Sequence, residues 1–210
     1  MNTPPYRIET ERFVLRCWEP RDAPLLKEAI DSSLEHLRPW MPWVAHEPQT
    51  VDEKIELLRH FRGEFDLETE FVYGVFEPDE SRVLGGSGFH PRGGEASLEI
   101  GCWIRVDAGG RGLATEMTAV LTRVGFEVCG LERVDIQVEP HNERSLRIPR
   151  RLGFSEDGVL RRRLEPMGDD ERRRDSILFT MIADELPASS AMRVPYRAFD
   201  VLGRPIDPSR

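Results

Sequence analysis

Two short stretches of the chain carry residues whose types and spacing suit the binding of an anionic ligand. The first is the glycine-rich segment Gly109-Gly-Arg-Gly112, between a predicted strand and a predicted helix. Glycines let the backbone approach an anion, and the first amides of a helix offer unpaired N–H donors with a partial positive charge. The segment therefore predicts a phosphate or pyrophosphate site, with a glycine-rich turn without a ligand as the alternative.

Two common phosphate motifs do not fit this segment. No Lys-Ser or Lys-Thr pair follows the glycines, so it is not the phosphate loop of a nucleoside triphosphatase. The spacing also differs from the GxGxxG of dinucleotide-binding proteins, and no N-terminal βαβ unit precedes it. The anion it would hold therefore belongs to another class of ligand.

The second stretch lies about 30 residues further on and runs from Val138 to Phe154. Asn142 is expected to cap a short helix that Gly153 ends. Ser145 stands at the third position of that helix, where it is either a reactive hydroxyl or an ordinary partner of the cap. With the glycine segment, this pattern predicts two helix starts close to one ligand.

Together these motifs resemble the GNAT superfamily of acyl-CoA N-acyltransferases, and more narrowly its RimJ/RimL-like branch. In that family, (Arg/Gln)-x-x-Gly-x-Gly/Ala cradles the pyrophosphate of coenzyme A. Gly110-Arg-Gly-Leu-Ala114 fits the later part, whereas Gly109 stands where the family has Arg or Gln. The remaining matches are Asn142-Glu-Arg-Ser145, Leu152-Gly-Phe154, Glu156-Asp-Gly158, the opening Thr10–Arg16, the Asp22-Ala23 helix start and the Leu37-Arg-Pro-Trp-Met-Pro-Trp43 loop.

The resemblance implies a fold and a division of the chain. The expected fold is α+β: a central mixed, mostly antiparallel sheet, with splayed parallel strands at the acyl-CoA cleft and helices on both faces. The resemblance covers about residues 6 to 183, so we expect a GNAT domain over 1–183 and a Pro-rich C-terminal extension over 184–210. The extension is either mobile or docked on its own domain or on a second subunit.

The resemblance also implies which residues meet the co-substrate, acetyl-CoA by default or another acyl-CoA. It would lie between strands Ser97–Arg105 and Arg133–Val138, and its pantetheine arm would pair with the backbone. The implied contacts are Trp103, Ile104, Arg105, Val106, Gly109, Gly110, Arg111, Gly112, Leu113, Ala114, Thr115, Asn142, Ser145 and Arg151.

Two residues are candidates for the chemistry. The resemblance makes the Ser145 hydroxyl the proton donor to the leaving sulfur. Glu99 shares a strand face with Gly101 and Trp103 and is our candidate base, with a solvated strand residue as the alternative. Some RimL-like enzymes carry a glutamate where this chain has Leu164, and the neighbouring Glu165 faces the other way.

Two tryptophans are candidates for the acceptor pocket. Trp40 and Trp43 lie on the proline-broken loop expected to roof it. Their rings can pack a peptide N-terminus or offer a cation–π face, and core packing is the alternative. No metal site is expected.

The elements that must position these residues follow from hydrophobic periodicity. Thr50-Val-Asp-Glu53 is a capping box, and Val51, Ile55, Leu58, Phe61 and Phe65 behind it share a helical face. Strands are predicted at 71–76, 83–89 and 97–105 as a meander, with a helix and a parallel strand after them. The chain then continues with a short helix and a hairpin whose turn is Gly168-Asp-Asp-Glu171.

Composition excludes several function classes. With 29 Lys+Arg against 38 Asp+Glu, the net charge of −9 argues against nucleic acid as a main partner. Only Lys27 and Lys54 are lysines, and ten of the arginines lie between Arg144 and Arg174, beside the predicted cleft. Of these, Arg151, or Arg147 with Arg111, could meet the phosphates of coenzyme A.

The cysteines and the apolar runs bear on location. Three cysteines without CxxC spacing fit neither a disulfide framework nor a zinc site, and they fit a reducing cytosol. No apolar run of about 18 residues and no signal peptide are found, so we expect a cytoplasmic protein without a membrane partner.

The identity of the acceptor stays open at this stage. A protein N-terminus and a small amine are both compatible with the motifs, and arginine-rich walls would also suit succinyl-CoA. A non-catalytic acyl-CoA-binding module on the same fold is the alternative from another class. RimJ/RimL-like proteins are often dimers, so the resemblance also allows a homodimer.

Overall fold

The computed structural model describes residues 2–92, 94, 96–167 and 172–207, and its centre is a sheet of ten strands. The strands are β1 (Arg7–Glu9), β2 (Val14–Cys17), β3 (Phe71–Phe76), β4 (Val83–His90), β5 (Ser97–Ile104), β6 (Arg133–Val138), β7 (Ser155–Leu164), β8 (Arg174–Ile182), β9 (Arg197–Phe199) and β10 (Pro205–Ile206). Their order in the sheet is β10-β9-β1-β2-β3-β4-β5-β6-β8-β7. β5 and β6 pair in parallel and the other neighbours are antiparallel.

Helices lie on both sides of this sheet. They are α1 (Ala23–Asp31), α2 (Leu34–Leu37), α3 (Val51–Asp66), α4 (Leu113–Glu127) and α5 (Glu143–Leu152), with short 3₁₀ turns between them. α4 connects the two parallel strands, because a parallel pair requires a crossover rather than a tight turn. The predicted α+β fold, with its splayed parallel pair, is confirmed.

Local signals located most of the element ends. Thr50 Oγ1 accepts the Glu53 amide at 3.2 Å, and a Glu53 carboxylate oxygen accepts the Thr50 amide at 2.7 Å, as the capping box predicts. On the predicted apolar face of α3, Leu58 and Phe65 are fully buried. Val51 is 38% exposed, because it lies in the first turn at the end of the helix.

One predicted loop needs correction, and another lies outside the described residues. The segment 37–43 was expected to be irregular, but α2 ends at Leu37 and a 3₁₀ turn begins at Pro42, whose fixed φ suits the first position of a helical turn. The predicted turn 168–171 lies outside the described residues.

The parallel pair opens after three residues. β5 and β6 are joined only through Ser97–Arg133, Leu98–Val134 and Glu99–Asp135. Beyond this point β5 stays paired with β4 as far as Ile104, and β6 stays paired with β8 as far as Val138. The two strands therefore diverge into a V-shaped gap whose edges are held apart by their outer neighbours.

The C-terminal extension packs on its own domain. β9 pairs with β1, so the tail adds two strands to the sheet. Arg123 of α4 donates to the Val194 carbonyl at 2.7 Å, and the Ser189 and Ser190 hydroxyls donate to the carbonyls that end α5. The tail thereby ties α4 to α5. Within the described residues, no helix is both long and apolar enough to cross a membrane.

Candidate active site

A cavity of about 960 Å³ occupies the gap between β5 and β6. Because the gap passes through the sheet, the cavity reaches both sides of it. On one side it meets Ile148 and Pro149 of α5, and on the other it meets α1, α3 and the loop before α3. A ligand that enters from the α5 side can therefore meet a second ligand that enters from the α3 side.

The start of α5 faces this cavity. Asn142 caps the helix, since its Oδ1 atom accepts the Ser145 amide at 3.1 Å. Both residues line the cavity. None of the described residues hydrogen-bonds the Ser145 hydroxyl, so the cap uses the backbone of Ser145 and leaves its side chain available.

Glu99 lies where the parallel strands part, and it is 8% exposed. Gln137 Nε2 donates to its Oε2 atom at 2.7 Å, and Arg92 Nη1 donates to Oε1 at 3.3 Å. Glu99, Gln137 and Arg92 all line the cavity. A buried carboxylate with two donors is held in a defined orientation beside the gap.

The rings of Trp40, Trp43 and Trp103 form a tryptophan wall of the cavity, and strand backbone without side chains lies beneath them. Trp43 packs edge-on against Trp103, with ring centroids 5.9 Å apart, and Trp40 lines the same cavity. The floor is glycine backbone: a Cβ atom at Gly86 would lie 2.5 Å from the Trp103 indole nitrogen. The absence of a side chain at Gly86 therefore makes room for the Trp103 indole.

Carboxylates surround the α3 side of the cavity. Glu70 contacts His90 Nδ1 at 2.9 Å, and Glu64 contacts His60 at 3.2 Å. Glu47 pairs with Lys54, and their side chains are only 3% and 0% exposed. The other lysine, Lys27, is paired with Asp31 on the surface of α1. A net acidic wall favours a cationic guest such as an ammonium group.

The glycine segment lies outside the cavity, at the far end of β5. Gly110 and Gly112 adopt positive φ angles of 77° and 79°, which favour glycine. The segment leads into α4, whose first amides have no partner within the helix. Arg12 braces it from behind by donating to the Arg111 carbonyl at 3.0 Å and pairing with Glu116. These features fit an anion such as a pyrophosphate.

Two predicted backbone contacts need correction. The Arg105 amide donates to the Leu84 carbonyl at 2.9 Å, and the Val106 amide donates to Ser33 Oγ at 3.1 Å. Neither amide is therefore available to a pantetheine arm. Because polar backbone groups alternate along a strand, those of Ile104 face the gap instead.

The Arg105 side chain also points away from the gap. It is 2% exposed and donates to both carboxylate oxygens of Glu28 at 2.8 Å and to Asp107 at 2.7 Å. The guanidinium lowers the pKa of the Glu28 carboxyl by this hydrogen bonding. Arg105 thus fastens the start of the glycine segment to α1 from inside the protein.

The arginine-rich region is divided between paired and exposed side chains. Arg150 pairs with Glu156, Arg173 pairs with Glu165, and Arg174 pairs with Glu139. Arg151 is exposed on α5, with its carbonyl held by Ser190. The Glu165 side chain is 64% exposed and engaged by Arg173, which weakens it further as a base.

Cysteine and metal chemistry have little support here. Cys102 lines the cavity, but burial raises its pKa to about 11, so the thiol is neutral near pH 7 and a poor nucleophile. Among the described residues, no three His, Cys, Asp or Glu side chains converge as metal ligands do.

The structure brings together six of the predicted site residues. These are Trp40, Trp43, Glu99, Trp103, Asn142 and Ser145, all of which line the one cavity. Ile104, Arg105, Val106, the segment 109–115 and Arg151 lie outside its lining. Sequence reasoning missed Gln137 and the Glu47–Lys54 pair. Gln137 lies two residues after Asp135 and therefore on the same face of β6, and this alternation was the feature of the sequence that could have pointed to Gln137.

Comparison with known proteins bears on the same region. A family model described as "Acetyltransferase (GNAT) domain" matches residues 12–155. The [ribosomal protein uS5]-alanine N-acetyltransferase of Escherichia coli (strain K12) is 29% identical over 166 residues, which are 76% of this chain and 84% of that protein.

Solved structures agree with the fold. Mycobacterium smegmatis RimJ in complex with CoA-disulfide superposes with a TM-score of 0.78 at 25% identity, covering 90% of this chain and 93% of that one. The ribosomal-protein-S5-alanine acetyltransferase of Vibrio fischeri gives a TM-score of 0.73 at 21% identity, with 86% and 98% covered.

Proposed function

The chain belongs to the GNAT acetyltransferase family, and on that premise we propose that it transfers an acetyl group from acetyl-CoA to the N-terminal amine of a protein by direct attack. The observation that supports this most is the single cavity that joins the start of α5 to Glu99 and the tryptophan wall. It lets a thioester and an amine approach from opposite sides of the sheet.

The residues present fit coenzyme A as the carrier of the acetyl group. The positive-φ glycines and the first amides of α4 would hold its pyrophosphate, and the exposed Arg111 and Arg151 side chains would meet its phosphates. Asn142 and Ile104 would line the arm that leads to the thioester. Acetyl-CoA, when bound, supplies an activated carbonyl carbon.

The acceptor must lose a proton before it can attack. Glu99 takes this proton from the ammonium group, directly or through one water. The neutral nitrogen then forms the C–N bond as the C–S bond breaks. Ser145 donates a proton to the departing sulfur and regains one from solvent. The second proton of the nitrogen and the proton held by Glu99 then leave to solvent. The products are an N-acetylated amine, free coenzyme A and one proton.

A protein N-terminus is the acceptor that the surroundings favour. The carboxylates Glu64 and Glu70 suit an ammonium group, and the Trp43 and Trp103 rings suit the apolar part of a first residue. The relative from Escherichia coli is named as an alanine N-acetyltransferase of ribosomal protein uS5. The free cysteines fit the reducing cytosol, where such an acceptor would be found.

A thiol-release assay tests the proposal. The full chain is incubated with acetyl-CoA and a panel of peptides and small amines, and mass spectrometry locates the acetyl group. We expect thiol release and N-terminal acetylation of peptides. Coenzyme A binding without turnover on any amine would instead support the binding-module alternative, and preference for succinyl-CoA or small amines would redirect the acceptor assignment.

Ser145→Ala is expected to lower kcat about tenfold or more while leaving the KM for acetyl-CoA unchanged, because only the proton donation is lost. Steady-state kinetics at saturating peptide measure this change. Ser190→Ala is the matched control: it removes a hydroxyl that donates to the far end of α5 at 2.9 Å, outside the cavity. A Ser145→Ala variant with full kcat would remove the assigned donor.

Gly110→Ala is expected to weaken acetyl-CoA binding about tenfold and to lower stability by about 1 kcal/mol, because the added methyl group disfavours the required backbone. Calorimetric titration and thermal unfolding measure the two effects. Gly130→Ala is the matched control, since it has φ 66° and equally open surroundings but lies at the other end of α4. Equal affinity in both variants would argue against the glycine segment as the anion site.

A further inference from the structure

We infer that Gln137 is a positioning residue of the reaction, which holds the Glu99 carboxylate in the orientation that removes the proton from the acceptor amine. The inference rests on the proposed function and adds a residue that no motif of the sequence marks. Gln137 lies on β6 and lines the cavity beside Glu99.

Gln137 is the closer of the two donors to Glu99. Its Nε2 atom is 2.7 Å from Oε2, whereas Arg92 Nη1 is 3.3 Å from Oε1. The Arg92 side chain is 57% exposed, so solvent screens its charge and competes for its donors. The amide of Gln137 therefore sets the orientation of the carboxylate more firmly than the guanidinium does.

The neutrality of Gln137 suits a proton acceptor. A cation at the same distance would stabilise the charged carboxylate against protonation and would repel the incoming ammonium group. A primary amide supplies a directed hydrogen bond without adding charge to the cavity. Glu99 is thus held in place and retains its ability to take a proton.

Within the described residues, only the NH₂ side of the Gln137 amide is hydrogen-bonded. The Oε1 atom is buried and accepts no hydrogen bond from the described part of the chain. Chemistry fixes which way the amide faces, because an ionised carboxylate only accepts and must meet the NH₂ group. The hydrogen bond to Glu99 is therefore the one that the described part of the chain gives the Gln137 amide.

The bond between Gln137 and Glu99 lies at the point where the parallel strands part. The parallel ladder ends at Glu99–Asp135, and Gln137 is the next residue of β6 on the same face. Its side chain bridges the strands just past the last backbone pair, where the gap begins. The bond therefore fixes the base at the edge of the space that the thioester would enter.

Gln137→Met tests the inference, because methionine keeps the length of the side chain and removes the donor. In the full chain we expect kcat/KM for the acceptor peptide to fall about tenfold or more, with the KM for acetyl-CoA unchanged. The acidic limb of the pH–rate profile should move to higher pH, since the charged carboxylate loses a stabilising bond. Gln137→Glu should move that limb further in the same direction, because two carboxylates then face each other.

Thr180→Val is the matched control. Thr180 Oγ1 also donates to a buried carboxylate, that of Asp135 at 3.1 Å, on the same face of the sheet but outside the cavity. We expect this variant to keep the wild-type pH–rate profile. An active wild type whose Gln137→Met variant retains kcat/KM and the profile would overturn the role of Gln137 alone. A wild type that acetylates no amine would overturn the proposed function, and the inference would fall with it.

Discussion

Glu99→Gln is expected to lower kcat/KM for the acceptor peptide by about 100-fold to 10,000-fold, the range that general-base catalysis contributes. Glutamine keeps the shape of the side chain and loses the capacity to take a proton. The acidic limb of the pH–rate profile should disappear with it. Acetyl-CoA affinity should stay unchanged, because Glu99 lies where the gap begins and the glycine segment lies at the other end of β5.

Glu165→Gln is the matched comparison, since Glu165 is the other carboxylate that the sequence offers as a base. Its side chain is 64% exposed and bound by Arg173, so we expect nearly full activity. Activity assays of both variants at a series of pH values decide which of the two carboxylates is the base. If Glu165→Gln loses the acidic limb and Glu99→Gln keeps it, the base has been assigned to the wrong residue.

Glu47→Gln is expected to lower the free energy of unfolding by about 3–5 kcal/mol, because it leaves the Lys54 ammonium buried without a counter-charge. Both side chains of this pair are almost fully buried, at 3% and 0% exposure. Removing either partner leaves the charge of the other buried without a counter-charge, whereas removing both leaves no unpaired charge. The double variant Glu47→Gln/Lys54→Met should therefore recover most of the loss.

Urea-induced unfolding of the single and double variants measures this coupling. Glu56→Gln is the control, because its pair with Arg59 lies on the same helix at 69% and 64% exposure and should change stability by no more than about 1 kcal/mol. Single variants that unfold like the wild type would show that the buried pair contributes little.

The parts of this fold that the sequence predicts are those set by local physics. The Thr50 capping box, the cap at Asn142 and the stop at Gly153 each depend on neighbouring residues, and all three appear where expected. Strand alternation likewise put Glu99 and Trp103 on one face of β5.

The parts that the sequence does not predict depend on how distant segments meet. The bond between Gln137 and Glu99 requires the register of β5 against β6, which is set by strands 36 residues apart in sequence, since Ser97 pairs with Arg133. The outward turn of Arg105 depends on Glu28, a residue of another helix. Backbone contacts predicted from the resemblance alone could not take that partner into account.

The docking of the tail is also a tertiary outcome. The sequence left the tail either mobile or docked on its own domain or on a second subunit. In the structure, Arg123 and Glu127 of α4 hold Val194 and Tyr196. Burial and hydrogen bonding with the last helix residue, Leu152, through Ser189 complete the attachment. Composition could not anticipate these partners, because they become neighbours only after the sheet has formed.

The lysine content has a consequence for the protein as a chemical environment. A thioester can acylate a neutral, accessible amine without an enzyme, and lysine side chains are the amines usually modified in this way. This chain carries two lysines, one fully buried beside Glu47 and the other held by Asp31 at 2.7 Å. Arginine, which stays protonated, supplies nearly all of the positive charge of the chain. The protein therefore exposes almost no side-chain amine that a reactive acyl donor beside it could acylate.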